Sequence, residues 1–518
     1  MVKLEWAAIR LAGSIPAACD KKRYVMQFGR TKIKTDIERV DRGNVLAVLE
    51  AAMNDHISNY GDIEYLYNYF KGNQPVLQRT KEIRPEICNK IVENIANEIV
   101  SFKTGYLLGE PIQYVSRSDT DTSKEVGELN DIMELCSKAC VDNEIAEWLY
   151  ICGIGYRLIL PNDSAIKGKA VPALSVGEKP DLGDDAPFSV HCLDPRGAFV
   201  VHYSGIGEKP VMGVKYVRKD DLTVVYSVWT DTTYFEIESG GINGVGRIVK
   251  EIPNSVRYIP IVEYVLNNAR QGAFEIVLPL LDAINATQSD RIDGVDQFIQ
   301  SLMVLYNAEI DEEKAKNLRD AGLIILKSFG ENKADIKVLN EQLNQTQTQT
   351  LIDDLYQKVL EIVGMPNRNG GTSTSDTGAA VIVRDGWSTA EARAKSDEAN
   401  FKRSEREFLK IALAIIKRTV GLSLMLKDVD IKFTRHNYDN IQSKSQVLVS
   451  MLNNPHIHPA LAFEHCGLFS DPQSAFNMSE AYYQEQMQKW EPEEVSDDDD
   501  DLQEAGQRAS EGEEQPTT

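Results

Sequence analysis

At 518 residues the chain is too long for a single core, and about three domains is the starting expectation. Hydrophobic content of 42% and charged content of 26% describe an ordinary soluble globular composition, so neither a fibrous nor a wholly disordered protein fits. The formal charge of −23 is unevenly placed: residues 491–518 hold twelve Asp/Glu and one Arg, leaving −12 for the rest. An acidic body argues against broad gripping of nucleic acid, which needs clustered Lys and Arg.

Seven cysteines (Cys19, Cys88, Cys136, Cys140, Cys152, Cys192 and Cys466) are an odd number in a long chain and favour reduced thiols over a disulfide framework. Cys136 and Cys140 lack a second Cys/His pair at ligand spacing, so they read as packing rather than metal ligands. No apolar run approaches the roughly eighteen residues of a membrane span. Glu5 and Arg10 break up the N-terminal apolar stretch, so no signal peptide is expected.

In chain order, residues 1–58 read as strand or loop followed by a helix through Val45, Leu46, Val48, Leu49 and Met53. Tyr60, Tyr65, Tyr67 and Tyr69 follow closely. With only Lys71 as a nearby cation they suit a half-buried packing face better than a base-stacking platform. A helix is expected from Arg84 to Val100, with Pro85 near its start and Ile87, Ile91, Ile95 and Ile99 as its buried stripe. A turn over Thr104–Ile112 and a short strand come next, then helix from Val126 to Tyr150.

Gly153 and Gly155 precede a strand over Tyr156–Leu160. A dinucleotide fingerprint has its glycines after a strand and opening a helix, so these read as backbone spacers. Residues 161–186 are rich in Pro, Gly and Asp and read as a surface loop. Strands dominate from Phe188 to Val265, with Val224–Trp229 and Tyr234–Ile237 as a hairpin and Asp194–Gly197 as a turn. His191 and His202 read as structural.

After Gly272 the helical period returns: Phe274, Leu278, Leu281, Ile284, Ile292, Val295, Ile299 and Leu302 share a face, and Pro279 lies near the helix start. Asp282, Asp290, Asp293 and Asp296 fall largely off that face and read as solvated. Between Tyr306 and Leu343 a short helix (Glu312–Ala321) and two strands (Leu323–Leu326, Ile336–Leu339) form a unit too small for a core of its own.

A further helical pattern places Leu351, Leu355, Tyr356, Val359, Ile362 and Val363 together and stops at Gly364-Met365-Pro366. Then comes Asn367, Arg368, Asn369, Gly370, Gly371, Thr372, Ser373, Thr374, Ser375 and Asp376, with no large apolar side chain to pack. Helical periodicity resumes at Ala379 and runs towards Arg418, some 60 Å if unbroken. Gly386-Trp387 is the candidate bend, and Ser388-Thr389-Ala390-Glu391 has capping-box spacing for a fresh start. From Glu391 to Arg418 that pattern holds eight Lys/Arg against five Asp/Glu. Val429–Phe433 alternates as a strand, Ile441 to about Trp490 is helical, and the tail beyond is disordered by composition.

Several stretches together resemble the phage portal proteins, specifically the siphophage portal family of Gram-positive-type phages. They are Tyr69–Gly72, Asn89–Val92 running into Thr104–Ile112, Ile259–Tyr264, Asn267-Asn268, Gly272–Glu275, Leu281–Asn285 and Ser289-Asp290, followed by the helix–loop–helix. The 161–186 loop and the Gly386-Trp387 interruption depart from the family pattern. The resemblance implies a helix-rich α+β portal fold with wing, stem, clip and crown regions. Residues 1–272 with the 422–437 strand would be the wing, 273–305 and 346–365 the stem helices, and 306–345 the clip. Residues 366–378 would be the tunnel loop facing DNA, 379–421 the long helix behind it, 438–490 the crown and 491–518 an acidic tail.

It further implies a homo-oligomeric, twelve-fold ring at one capsid vertex of the virion, assembled in the host cytoplasm. The implied partners are the terminase large subunit, a head-completion adaptor, and the major capsid and scaffolding proteins. Double-stranded DNA would pass without sequence preference, and neither a membrane nor a cofactor is involved. The rival readings are an enzyme and another phage component such as a head–tail connector or minor capsid protein. No Walker A loop, nucleophile elbow or His-x-x-x-His helix supports the first, so no catalytic residue is expected.

Overall fold

The computed structural model describes residues 29–82, 84–117, 122–162, 186–240, 246–299, 302–306, 335–339, 345–367, 386–435, 441–469 and 472–490. The chain divides into two units, Met1–His436 and Asn437–Thr518. The larger is an α+β assembly, as expected.

Its first helix, α1 (Val45–Phe70), runs straight through the tyrosine segment, which therefore is helix. Tyr69 is buried and the other three tyrosines are half-buried, so the packing expectation holds. Tyr67 stacks on Trp148 at 5.1 Å, and the Arg196 guanidinium lies 4.3 Å from the Tyr67 ring.

The expected helix at Arg84 does not form. Helix α2 is Ile95–Leu108, capped by Asn94, whose side chain accepts from Asn97 N–H. It absorbs Thr104–Leu108, where a turn was expected. Ile95 and Ile99 are buried in it, whereas Ile91 is 38% exposed and non-helical. Competition explains the miss: the N–H groups of residues 89, 91 and 93 find polar side chains on another helix instead of carbonyls in their own turn.

The single helix expected over Val126–Tyr150 is two, α3 (Ser123–Leu135) and α4 (Lys138–Cys152), broken at Ser137, whose φ is +51°. Helix α4 feeds strand β3 (Ile154–Pro161) through Gly153, at φ +82°. A Cβ there would come 2.4 Å from the Arg270 backbone carbon, so the glycine permits a backbone crossing, as expected of a spacer.

With β1 (Lys34–Thr35) and β2 (Gln113–Ser116) preceding β3, the strands that follow are β4 (Phe188–Leu193), β5 (Ala198–Tyr203), β6 (Pro210–Arg218), β7 (Val224–Trp229), β8 (Thr233–Ser239), β9 (Arg247–Pro253) and β10 (Ile261–Val265). One sheet has the order β1-β5-β6-β7-β8-β9, antiparallel except for the parallel β1–β5 pair; another has the order β10-β3-β4. The β7–β8 hairpin pairs Trp229 with Tyr234, in the expected place. Alternation explains its facing: Val224, Tyr226 and Val228 point into the core, with Phe235 and Ile237 beside them.

The segment before the next helix is tied into this core by Glu275, which is fully buried. Its carboxylate accepts from Gly29 N–H (2.9 Å), Gly272 N–H (2.8 Å) and Arg30 (2.7 Å). Helix α5 (Leu278–Ile299) then starts one residue before Pro279. Phe274, Leu278, Leu281 and Ile284 are buried, but Ile292 and Val295 are about 40% exposed, because the helix's second half leaves the core. Leu302 belongs instead to strand β11 (Leu302–Tyr306), which pairs antiparallel with β12 (Asp335–Leu339). The expected helix at 312–321 and strand at 323–326 lie outside the described residues.

Helix α6 (Gln345–Val363) packs beside α5, burying Ile352, Val359, Leu360 and Val363. Leu351 and Ile362, expected on the buried face, are instead 50% and 40% exposed. A face drawn from 352 through 356, 359 and 363 leaves both of them about a quarter-turn away.

Helix α7 (Trp387–Thr419) is about 50 Å long and buries Phe401, Phe408, Leu409 and Ile416 against the β10-β3-β4 sheet. Strand β13 (Val429–Lys432) returns and pairs with β2. The smaller unit holds α8 (Ile441–Leu452), α9 (Pro459–Cys466) and α10 (Pro472–Trp490), with Phe463 at van der Waals range of Phe469 and Phe476.

Candidate functional site: the anchored helix and the base of its loop

Helix α7 is fixed by a buried knot of charge. Glu405, Arg157, Lys138 and Asp142 are all at most 3% exposed. The Glu405 carboxylate accepts from Arg157 (2.8 Å), Tyr114 OH (2.6 Å) and Tyr264 OH (2.7 Å), with Lys138 at 3.0 Å. Arg157 and Lys138 also pair with Asp142. The Arg157 guanidinium lies between the rings of Tyr264 (4.7 Å) and Phe408 (4.5 Å). Two cations thus face two carboxylates. Burial pushes the Glu405 carboxyl up, but Arg157, Lys138 and the two phenols outweigh it and hold the group at about 2. The knot joins α7 to β2, α4, β3 and β10 at once.

Towards its N-terminus α7 has further ties. Arg435 reaches Glu391 (3.1 Å) and Glu398 (2.7 Å), Tyr106 OH donates to Glu391 (3.0 Å), and Tyr150 OH to Asp397 (3.2 Å). These carboxylates look solvated in the helical period and are in fact anchors.

The loop's two ends meet here. On one side α6 ends at Gly364 (φ +71°), followed by buried Met365 and Pro366 and half-buried Asn367. On the other, α7 begins immediately after Gly386, whose φ of +81° lets the chain turn in. A Cβ on Gly386 would sit 3.8 Å from Pro366 Cα, so the entry and exit strands of the loop touch. Trp387 is half-buried against α2, with ring centroids 6.2 Å from Phe102 and 6.0 Å from Tyr106. The Gly386-Trp387 expectation therefore lands on a helix start. The capping box expected at Ser388–Glu391 is absent, because Gly386 O accepts from both Thr389 N–H and Ala390 N–H at 3.1 Å and Glu391 is engaged by Arg435. Of the other expected site residues, Arg368, Asn369, Gly370, Gly371, Thr372, Ser373, Thr374, Ser375 and Asp376 lie outside the described residues, as do 379–385.

A second feature escaped the sequence reading. Helix α5 carries a polar ladder in which Glu93 N–H donates to Asn285 (2.7 Å), Ile91 N–H to Ser289 (3.0 Å) and Asn89 N–H to Asp293 (2.7 Å). Asn285, Ser289 and Asp293 are essentially fully buried. Strand spacing of two residues thus matches helix spacing of four. Asp282 accepts from Tyr69 OH (2.9 Å), and Asp290 pairs with Arg79. Of the four aspartates read as a solvated face, Asp290, Asp293 and Asp296 hold a non-helical strap along α5 through Arg79, Lys81 and Asn89, and Asp282 holds Tyr69 of α1. The signal was present as polar residues at 285, 289 and 293, but only knowledge of the strap gives it meaning.

Among the described residues no cluster of three or more His, Cys, Asp and Glu is placed to hold a metal, and no helix is long and apolar enough to cross a membrane.

The described residues form an α+β chain with a core-anchored long helix and a helix pair joined through a two-stranded sheet, which is consistent with a portal fold. The family described as "Phage portal protein, SPP1 Gp6-like" matches residues 50–500, and the chain belongs to that family. No curated protein matches the chain. Among solved structures, one titled "Neck of empty GTA particle computed with C6 symmetry" is similar at 13% identity, covering 79% of this chain and 94% of that one with a TM-score of 0.43, a likeness too loose to argue from.

Proposed function

We propose that the chain is the subunit of a ring-shaped channel at a unique capsid vertex, through which double-stranded DNA is driven in by the terminase and later leaves. In this reading residues 1–272 and 422–437 form the wing, α5 and α6 the stem, 306–345 the clip that docks the motor and then the head-completion adaptor, and 438–490 the crown. The chain acts as a structural component and not as an enzyme. Residues 367–376 form the contact with passing DNA.

The observation that supports this best is the family match together with the pinched loop base: entry and exit touch, and Trp387 is wedged against α2. A segment fixed at its neck and free of large apolar groups suits a sliding contact. One Arg and one Asp in 367–376 add little phosphate affinity, whereas each further cation, repeated around a ring, would hold the duplex.

Replacing 368–376 with a shorter Gly-Ser segment while leaving Gly364–Asn367 and Gly386-Trp387 intact tests this. The expected result is assembled heads with a severe loss of packaged or retained genome. Normal genome content would contradict it.

A further inference from the structure

The net charge of α7 is not spread around the helix. Four of its five carboxylates are spent inward: Glu391 and Glu398 on Arg435, Asp397 on Tyr150, and Glu405 in the buried knot. Among the exposed cations of the helix, which also include Arg393, Lys395 and Arg418, a stripe of Arg403, Arg406, Lys410 and Lys417 shares one face at spacings of three, four and seven. Lys410 is paired with Glu407 at 2.6 Å. Arg403, Arg406 and Lys417 make no ion pair among the described residues.

An opposite surface exists elsewhere on the same unit. Helix α3 exposes Glu128, Asp131 and Glu134 at three-residue spacing, and α4 exposes Glu144 and Glu147. None of these five carboxylates has an ion pair among the described residues. Burial, and then the neighbouring Glu144, push the Glu147 carboxyl up, as expected where like charges crowd without a cation.

We infer that the basic face of α7 docks on the acidic α3–α4 face of a second copy of this chain, as the repeating contact that closes the ring. This rests on the ring reading above and deepens it by naming the faces. A cyclic assembly needs a heterologous contact, two different and complementary patches on every subunit, and this chain carries such a pair. The duplex is the weaker occupant for the stripe. Three unpaired cations per subunit, multiplied around a channel, would add a large salt-dependent grip to a passage that must let DNA slide. Complementary charge also fixes register and suppresses wrong pairings.

The test is charge reversal and exchange in the full-length protein, read by native mass at two salt concentrations. Arg403→Glu with Arg406→Glu should raise the concentration needed for ring formation by about tenfold or more, as should Asp131→Lys with Glu134→Lys. The four substitutions combined should restore most of the loss. Unchanged assembly in both double variants, or no restoration in the combination, overturns the inference while leaving the ring reading intact. Intact rings with weakened duplex binding in the Arg403→Glu, Arg406→Glu variant would assign the stripe to DNA and also overturn it. A wild-type protein that stays monomeric would remove the ring reading itself. Proximity gives a second readout that does not depend on the reversals folding well. In a Cys140→Ser background, copies carrying Arg406→Cys mixed with copies carrying Asp131→Cys should form a disulfide dimer on oxidation that neither gives alone. No dimer in the mixture counts against the contact.

Discussion

At the scale of the residue, Glu405 shows how a polar group becomes a structural keystone. With two cations and two phenols around it in a site closed to water, removing one carboxylate leaves buried positive charge uncompensated. Glu405→Gln should therefore destabilise the larger unit by about 3–5 kcal/mol in urea unfolding. The pH dependence has a definite sign. The folded carboxyl sits at about 2 against an ordinary 4.5, so it holds its proton less tightly folded than unfolded. Its contribution is complete above about 4.5 and is lost as pH falls through the window towards 2. The stability gap between wild type and Glu405→Gln should be constant at neutral pH and narrow below about 4.5. A gap that widens with acid would contradict this.

At the scale of the element, the strap and helix α5 are the informative pair. Replacing Ser289 by Ala removes the acceptor for Ile91 N–H, so that amide should exchange with solvent faster, together with its neighbours at 89 and 93. A destabilisation of about 1–3 kcal/mol should accompany it. Unaltered protection at 89–93 would show that the ladder is not what holds the strap. The same pair marks what could be read from sequence. The hairpin at 224–239, the start of α5 and the end of α6 at Gly364 were legible because local alternation, proline and glycine decide them. The segment 84–94 was not, because its isoleucines fit a helical stripe. What keeps residues 89–93 extended lies some two hundred residues away, on a face whose aspartates look solvated in isolation. Likewise Gly386 could be seen as a break, but not that Trp387 behind it would wedge against Phe102 and Tyr106. Trp387→Ala should raise amide exchange over 386–392 with little effect on α7 beyond Phe401, where the core holds it. Unchanged exchange at 386–392 would remove the wedge from the account.

At the scale of the whole molecule, the family membership and the α+β architecture of the larger unit agree, and the proposed ring reading builds on both. The charges are arranged in keeping with this. Four of the five carboxylates of α7 are consumed internally, its cations Arg403, Arg406 and Lys417, unpaired among the described residues, are exposed, and the fragment proposed to meet DNA holds one Arg and one Asp. The most direct measurement is electron microscopy of the purified full-length protein viewed down its symmetry axis. The account predicts a closed ring of identical subunits around an open bore wide enough for a duplex. A solid particle, or a population that never closes, would contradict it.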